Sequence, residues 1–212
     1  MNEEIILESK VESCLKCGAN ISKHQQCSQI LIYTETGPKL GRSIDKRCSN
    51  QECKSGFFLG YYTPKNQDDI KIYQENALKE EYIISTSDTA FATSLLYDGV
   101  LAMKCGNNAF KSTAHRYNLK HEYNISNSGV QLARAKLSDK CFANGIWRYA
   151  LLDIERRYGV EIEHNKSIDI TLEKHLEKIH AKIEEIWLNH QCSTPGCGSI
   201  LVCDGGMKPH RR

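Results

Sequence analysis

The stretch CLKCGANISKHQQCSQILIYTETGPKLGRSIDKRCSNQEC, residues 14–53, decides how the N-terminal part of this chain is read. It opens on Cys14-x2-Cys17 and closes on Cys48-x4-Cys53. Each pair forms a short loop whose two thiolates can converge on one ion, and Zn²⁺ takes four soft or borderline ligands in a tetrahedron. Gly18, directly after the first pair, lets the backbone turn tightly around a metal. QILIYTETG lies between the pairs and GFFLGYYT follows the second. Both are rich in β-branched and aromatic residues and read as strands, with TGPKLG as the turn between them. A strand pair that brings two cysteine loops together predicts a zinc-ribbon-like module. Four thiolates leave no open coordination position, so the expected site is structural. Cys27 is surplus to the four. With His24 it adds two candidate ligands, but a packed thiol is the simpler reading.

Working outward, PKNQDD at residues 64–69 reads as a linker. The expected architecture is α+β: a zinc-ribbon-like module over 1–63, a mainly helical domain over 64–189 and a C-terminal cysteine cluster over 190–212. Ser87 is a candidate N-cap for DTAFATSLLYDGVLAMKCG, where Phe91, Leu95 and Leu96 fall at helical spacing and Gly99 or Gly106 can end the helix. NNAFKSTAHRYNL suggests a second helix with Phe110, Ala114 and Tyr117 on one side. Ser138 is a candidate cap for DKCFANGIWRYALLDIERRYG, whose stripe is Phe142, Ile146, Tyr149 and Leu152 and whose stop is Gly159. Residues 169–189 place Leu172, Leu176, Ile179, Ile183, Ile186 and Trp187 on one helix face, opposite a Glu/Lys surface.

The C-terminal stretch HQCSTPGC gives His190-x-Cys192-x4-Cys197, with Pro195-Gly196 supplying the tight turn of a metal knuckle. Cys203 follows on the strand-like SILVC. His190, Cys192, Cys197 and Cys203 are chemically adequate as a second site, either complete or cut short by the chain end. Cys105 and Cys141 stand alone in helical sequence and read as packed thiols. His175 and His180, five apart, do not share a helix face. His115, His121 and His164 have no companion motif.

Ten cysteines in a chain without an apolar N-terminal signal segment favour metal over disulfides, and an intracellular, nuclear setting is expected. No run of 18 apolar residues occurs, so no membrane partner is expected. Net charge is only +2, but residues 104–148 hold eight basic and two acidic residues between acidic flanks. Arg134, Lys136 and Lys140 there, with Lys39, Arg42, Lys46 and Arg47 from the first module, are candidate phosphate contacts. Phe110, Tyr117, Tyr123, Phe142 and Trp147 interleave with the basic residues and read mostly as core. Phosphate-loop and dinucleotide fingerprints are absent. A metal-dependent nuclease needs several carboxylates around an open ion, and near the C-terminal cluster Asp204 stands alone in a DGG stretch that reads first as a turn.

ISTSDTAFATSLLYDGVLAMKCGNNAFKSTAHRYN and WLNHQCSTPGCGSILVCDGGMKPHR together resemble the cysteine-cluster modules associated with KDZ (Kyakuja, Dileera and Zisupton) transposases. The most specific part is W-x2-H-x-C…GC…DG-x-MK-x-HR, and with the N-terminal pairs the resemblance covers nearly the whole chain. It implies a pair of zinc-binding modules from a mobile-element protein, contacting DNA or chromatin, with the nuclease domain elsewhere. On that resemblance Cys14, Cys17, Cys48 and Cys53 form the first cluster, and His190, Cys192 and Cys197 belong to the second. Cys203 departs from the family pattern, which has an aliphatic residue there and continues past the basic HR. The resemblance thus implies a second metal site interrupted at the chain end. The expected function is a non-catalytic zinc-binding module that contacts DNA. The alternatives are a zinc-stabilised protein-interaction scaffold and a metal-dependent nuclease.

Overall fold

A computed structural model describes residues 4–106, 109–127, 132–189, 201–203 and 209–211. It is a mixed α+β structure that divides into two compact units, Met1–His175 and Leu176–Arg212. Among the described residues no helix is long and apolar enough to cross a membrane.

The first unit is built on one long hairpin. Strand β1 (Ile5–Glu8) precedes it, and β2 (Ile21–Thr34) and β3 (Gly37–Cys48) form it. The chain reverses at Glu35 and Thr36. There the Thr34 hydroxyl donates to the Gly37 carbonyl at 2.8 Å and accepts the Thr36 N–H at 3.2 Å. Gly37 takes φ +113°, a region L side chains avoid. TGPKLG is therefore not the turn; from Gly37 onward it is already strand. GFFLGYYT is not one strand either. It folds into β4 (Gly56–Phe58) and β5 (Tyr61–Thr63), reversing at Gly60 with φ +76°.

The sheet continues past the expected boundary at 63. Strands β6 (Ile70–Tyr73), β7 (Tyr82–Ile84) and β8 (Thr89–Ala92) all join it, with a 3₁₀ turn at Ala77–Lys79 between β6 and β7. The expected linker 64–69 only connects two neighbouring antiparallel strands, with Tyr61 paired to Tyr73. The strand order is β7-β8-β2-β3-β4-β5-β6-β9, where β9 is His164–Asn165, and β1 lies parallel to β3. Ser87 precedes a strand, not a helix. Residues 89–92 satisfy their backbone groups against β2 and β7 and are buried on both faces, so their apolar run carries no helical period.

Helices follow: α1 (Thr93–Gly106), α2 (Phe110–Lys120), α3 (Glu122–Ser126), α4 (Leu132–Ala135), α5 (Asp139–Tyr158) and α6 (Ile168–Leu188). The expected ends of α5 are present. Ser138 accepts the Cys141 N–H at 3.1 Å, and Gly159 closes the helix in the left-handed region at φ +63°. Gly99 does not end α1. A Cβ there would lie 2.6 Å from Ile146 and 2.7 Å from Phe142, so the glycine permits the close approach of α1 to α5.

Two apolar cores lie on opposite faces of β2, as strand alternation requires. Leu31 and Tyr33 pack with Phe91, Leu96, Tyr117, Phe142 and Ile146 under the helices. Ile30 and Ile32 pack with Leu7, Tyr61, Ile84 and Ala90, which come from strands far apart in the order, so the sheet curls around its second face. The expected core aromatics divide. Tyr117 and Phe142 are buried and Phe110 packs beside them, while Trp147 is half-exposed and Tyr123 exposed.

The second unit contains the C-terminal part of α6 and the hairpin of β10 (Leu201–Cys203) and β11 (Pro209–Arg211), with Val202 opposite His210. On the expected apolar face of this helix, Ile179 is buried, whereas Leu176 and Ile186 are exposed.

Candidate metal centre

The β2–β3 hairpin assembles the site. Its open end pairs Ile21 with Cys48, so the loop before β2 and the loop after β3 lie side by side. The Ser49 N–H donates to the Asn20 carbonyl at 3.0 Å and holds them in register. In the first loop, the Cys14 N–H donates to Ala19 O and the Gly18 N–H to Cys14 O, both at 2.8 Å. In the second, the Cys48 N–H donates to Ser55 O at 3.0 Å and the Lys54 N–H to Asn50 O at 2.9 Å. The Asn50 side chain also accepts the Glu52 N–H at 2.9 Å, tightening the longer loop.

The two loops repeat one device. The residue after each second cysteine is left-handed, Gly18 at φ +73° and Lys54 at φ +41°, and its N–H bonds back to the carbonyl four residues earlier. That reversal turns the second thiol of each pair back toward the first. Glycine adopts it freely, whereas lysine does so at a cost of about 1 kcal/mol.

The four thiols converge. All four Sγ atoms lie within 4.8 Å of one another. Cys14 and Cys53 are 3.6 Å apart, and Cys17 and Cys48 3.5 Å. Each close pair joins one cysteine from each loop. A tetrahedron with metal–sulfur bonds of about 2.3 Å has edges of about 3.8 Å, so these distances suit four thiolates around one ion. They are far too long for disulfides, whose sulfurs lie about 2.05 Å apart. Cys14 and Cys48 are buried, Cys53 is half-buried and Cys17 is exposed. Beneath them Phe57, fully buried, stacks on Tyr62 with ring centres 5.6 Å apart and, with Ala19 and Ile21, forms a separate small core.

The thiols are electrostatically unequal. Burial pushes Cys48 up to about 12 and also raises Cys14. Hydrogen bonds from the Ser55 hydroxyl, 3.3 Å away, and from the Ser55 backbone hold Cys53 down to about 6. Without a cation the pocket opposes four negative charges; a divalent metal would displace the protons and supply the counter-charge. Ser55 carries no sequence signal beyond standing two residues after Cys53. The structure makes it a supporting donor.

The other expected sites fare differently. His190, Cys192 and Cys197 lie outside the described residues, as do the side chains of Cys203 and His24. Cys27 and Cys105 are exposed, not packed. Among the proposed phosphate contacts, Arg42 pairs with Glu4 at 2.7 Å, Arg47 with Asp45 and Arg134 with Asp88, both at 3.4 Å. Lys46 pairs with Glu8 at 3.0 Å and also donates to the Ser9 carbonyl. Lys39, Lys136 and Lys140 are exposed.

Sequence reasoning also missed a buried polar group. Arg148 of α5 is 1% exposed and donates to the Asn165 carbonyl at 2.8 Å and to His164 Nδ1 at 3.1 Å. The opposite ring nitrogen of His164 faces Glu155 at 2.8 Å, so the imidazole is neutral, accepting from arginine and donating to the carboxylate. Burial lowers the pKa of His164. No family model, curated protein or solved structure matches this chain.

Proposed function

We propose that this chain is a non-catalytic zinc-binding module whose first centre is Cys14, Cys17, Cys48 and Cys53. One observation carries the reading: four thiols from two loops meet with the spacing of a tetrahedral tetrathiolate site. Four protein ligands leave no position for water or substrate, so the ion would cross-link the loops. Purified protein is expected to bind one zinc tightly, and Cys48→Ser to lose it. An S4 site also accepts iron, so tightly bound iron in its place would redirect the metal assignment. Titration against a competing chelator is expected to show a second equivalent bound weakly or not at all. Two equivalents of equal affinity, one of them lost in Cys203→Val, would make the C-terminal site complete.

The module's partner, on this reading, is DNA or chromatin, as the resemblance to KDZ transposase modules implies. The exposed Lys39, Lys136 and Lys140 are the phosphate contacts with most reach. Arg42, Arg47 and Arg134 would first have to exchange their carboxylates for phosphates, although such exposed arginine pairs hold only about 0–1 kcal/mol each, whereas Lys46 is held in a partly buried pair with Glu8. Binding is therefore expected to be micromolar or weaker, largely sequence-independent and steeply salt-dependent. Neutralising Arg134, Lys136 and Lys140 together is expected to flatten the slope of log K against log salt by about two to three. A second reading, a zinc-stabilised protein-interaction scaffold, is favoured by those same ion pairs. No retardation of duplex or single-stranded DNA by metal-loaded protein at low salt would select it.

A further inference from the structure

Lys71 lies on β6, away from the cysteine centre, and is 2% exposed. Its Nζ donates to the Ile84 carbonyl at 3.3 Å and the Ser85 carbonyl at 3.0 Å, and it lies 4.7 Å from the centre of the Tyr61 ring. The charges acting on it most strongly are two cations, Arg148 and Lys166. An ammonium there would carry a third N–H and a charge with no counter-ion in contact among the described residues. A neutral amine fits: two N–H groups meet two carbonyls, and one lone pair is left over.

Lys71, Tyr61 and Ile84 line one cavity of about 250 Å³. Its walls also carry the hydroxyls of Ser43 and Thr63 and the carboxylates of Asp45 and Asp68. The two cations at its edge are already engaged, Arg47 with Asp45 and Lys166 with Asp69 at 3.2 Å. The lining thus suits a compound bearing hydroxyl groups, which the Asp68 carboxylate and the Ser43 and Thr63 hydroxyls can hydrogen-bond, and disfavours an anion.

We propose that Lys71 is a nucleophilic amine that captures a small hydroxylated aldehyde or ketone in this cavity as a reversible imine. The Nζ lone pair attacks the carbonyl carbon, and the C=O π pair moves to oxygen. A proton passes from nitrogen to that oxygen, giving a carbinolamine. The C–N bond then becomes C=N as the hydroxyl and the second amine proton leave as water. Amine and carbonyl give imine and water, with no oxidation or reduction. The site is independent of the metal reading: its residues share none of the cysteine loops.

The test uses the full chain at pH 7.4 with glycolaldehyde and cyanoborohydride, which reduces an imine to a stable secondary amine, followed by peptide mass mapping. An ordinary exposed lysine holds only about 0.1% of its amine neutral at that pH, so Lys71 is expected to be labelled at least about tenfold faster than surface lysines. Thr63→Val is expected to slow that labelling without changing labelling of the surface. Two results would overturn the proposal. In one, Lys71 stays unmodified in the folded chain but is modified in urea. In the other, it reacts no faster than exposed lysines.

Discussion

Cys14 and Cys48 are about as deeply buried as Ile146 and Leu152, at 3% and 6% against 4% and 4% exposure, yet the two regions reach that burial by different means. Under the helices, Phe91, Phe142 and Tyr33 interlock, and Gly99 and Gly145 bring backbone close to rings. That packing removes apolar area from water and needs no ligand. Around the cysteines the apolar complement is little more than Phe57, Tyr62, Ala19 and Ile21. So small a core cannot offset the entropy of ordering two loops, and the buried thiols of Cys14 and Cys48 resist the charge that ligation requires. The helical core should therefore be stable without metal, and the cysteine loops should not.

The largest effect expected is loss of the ion. Structural zinc contributes about 10–16 kcal/mol of apparent binding energy in small modules, so Cys14→Ser or Cys48→Ser should release it and disorder the loops around residues 13–20 and 49–55. Strands β2 and β3 should persist, because both are central in the main sheet. Hydrogen exchange would show fast amides in the two loops and unchanged protection in α5. If protection in β2, β3 and α5 collapsed together, the two regions would be one cooperative unit.

Phe142→Ala probes the other region. Removing a fully buried ring from the helical core should cost about 3–5 kcal/mol in a denaturant titration while zinc stoichiometry stays the same. Zinc loss in this variant would break the separation from the opposite side.

A smaller effect follows from His164. Burial depresses its pKa, so the unfolded chain binds the proton more tightly than the folded one. Stability should be intact above the unfolded histidine value of about 6.5 and should fall as pH drops from there toward the lowered folded value. Protonation would also abolish acceptance from Arg148. Metal loss has the same sign, since thiols bind protons as pH falls, so the measurement belongs in the zinc-free Cys48→Ser protein. A flat acid limb there, matching His164→Gln, would remove this contribution.

The smallest effect is a gain. Lys54 occupies a left-handed position that its counterpart Gly18 fills without strain. Lys54→Gly should stabilise the metal-loaded loop by about 1 kcal/mol, read as slower zinc loss to chelator, and leave the thermal stability of the helical core unchanged. Faster zinc loss would show that the lysine side chain contributes more than its backbone strain.

The cysteine tetrad, the α5 caps and the apolar stripe of α5 were legible in the sequence because each is local. Two short cysteine spacings, a serine before the helix and a glycine after it state their chemistry within a few residues. The division of the chain was not legible. IKIY, YII and TAFA are too short to show a period, and strand pairing over long sequence separations decides them, such as β8 against β2 and β6 against β9. In IKIY, alternation would bury the isoleucines and expose Lys71, but the curled sheet covers both faces and the lysine ends buried, against a cavity wall. Arg148 likewise sits inside an amphipathic pattern that gives no reason to bury it; its carbonyl and histidine partners arrive from β9 and the residue after it. By itself the sequence determined that Cys14, Cys17, Cys48 and Cys53 could share a metal and where the long helices α5 and α6 run, since spacing and capping act over one or two turns. Only the tertiary structure decided that strands on both sides of residue 63 form one sheet, and which polar groups that sheet encloses. Both depend on hydrogen bonds between segments whose pairing no local pattern encodes.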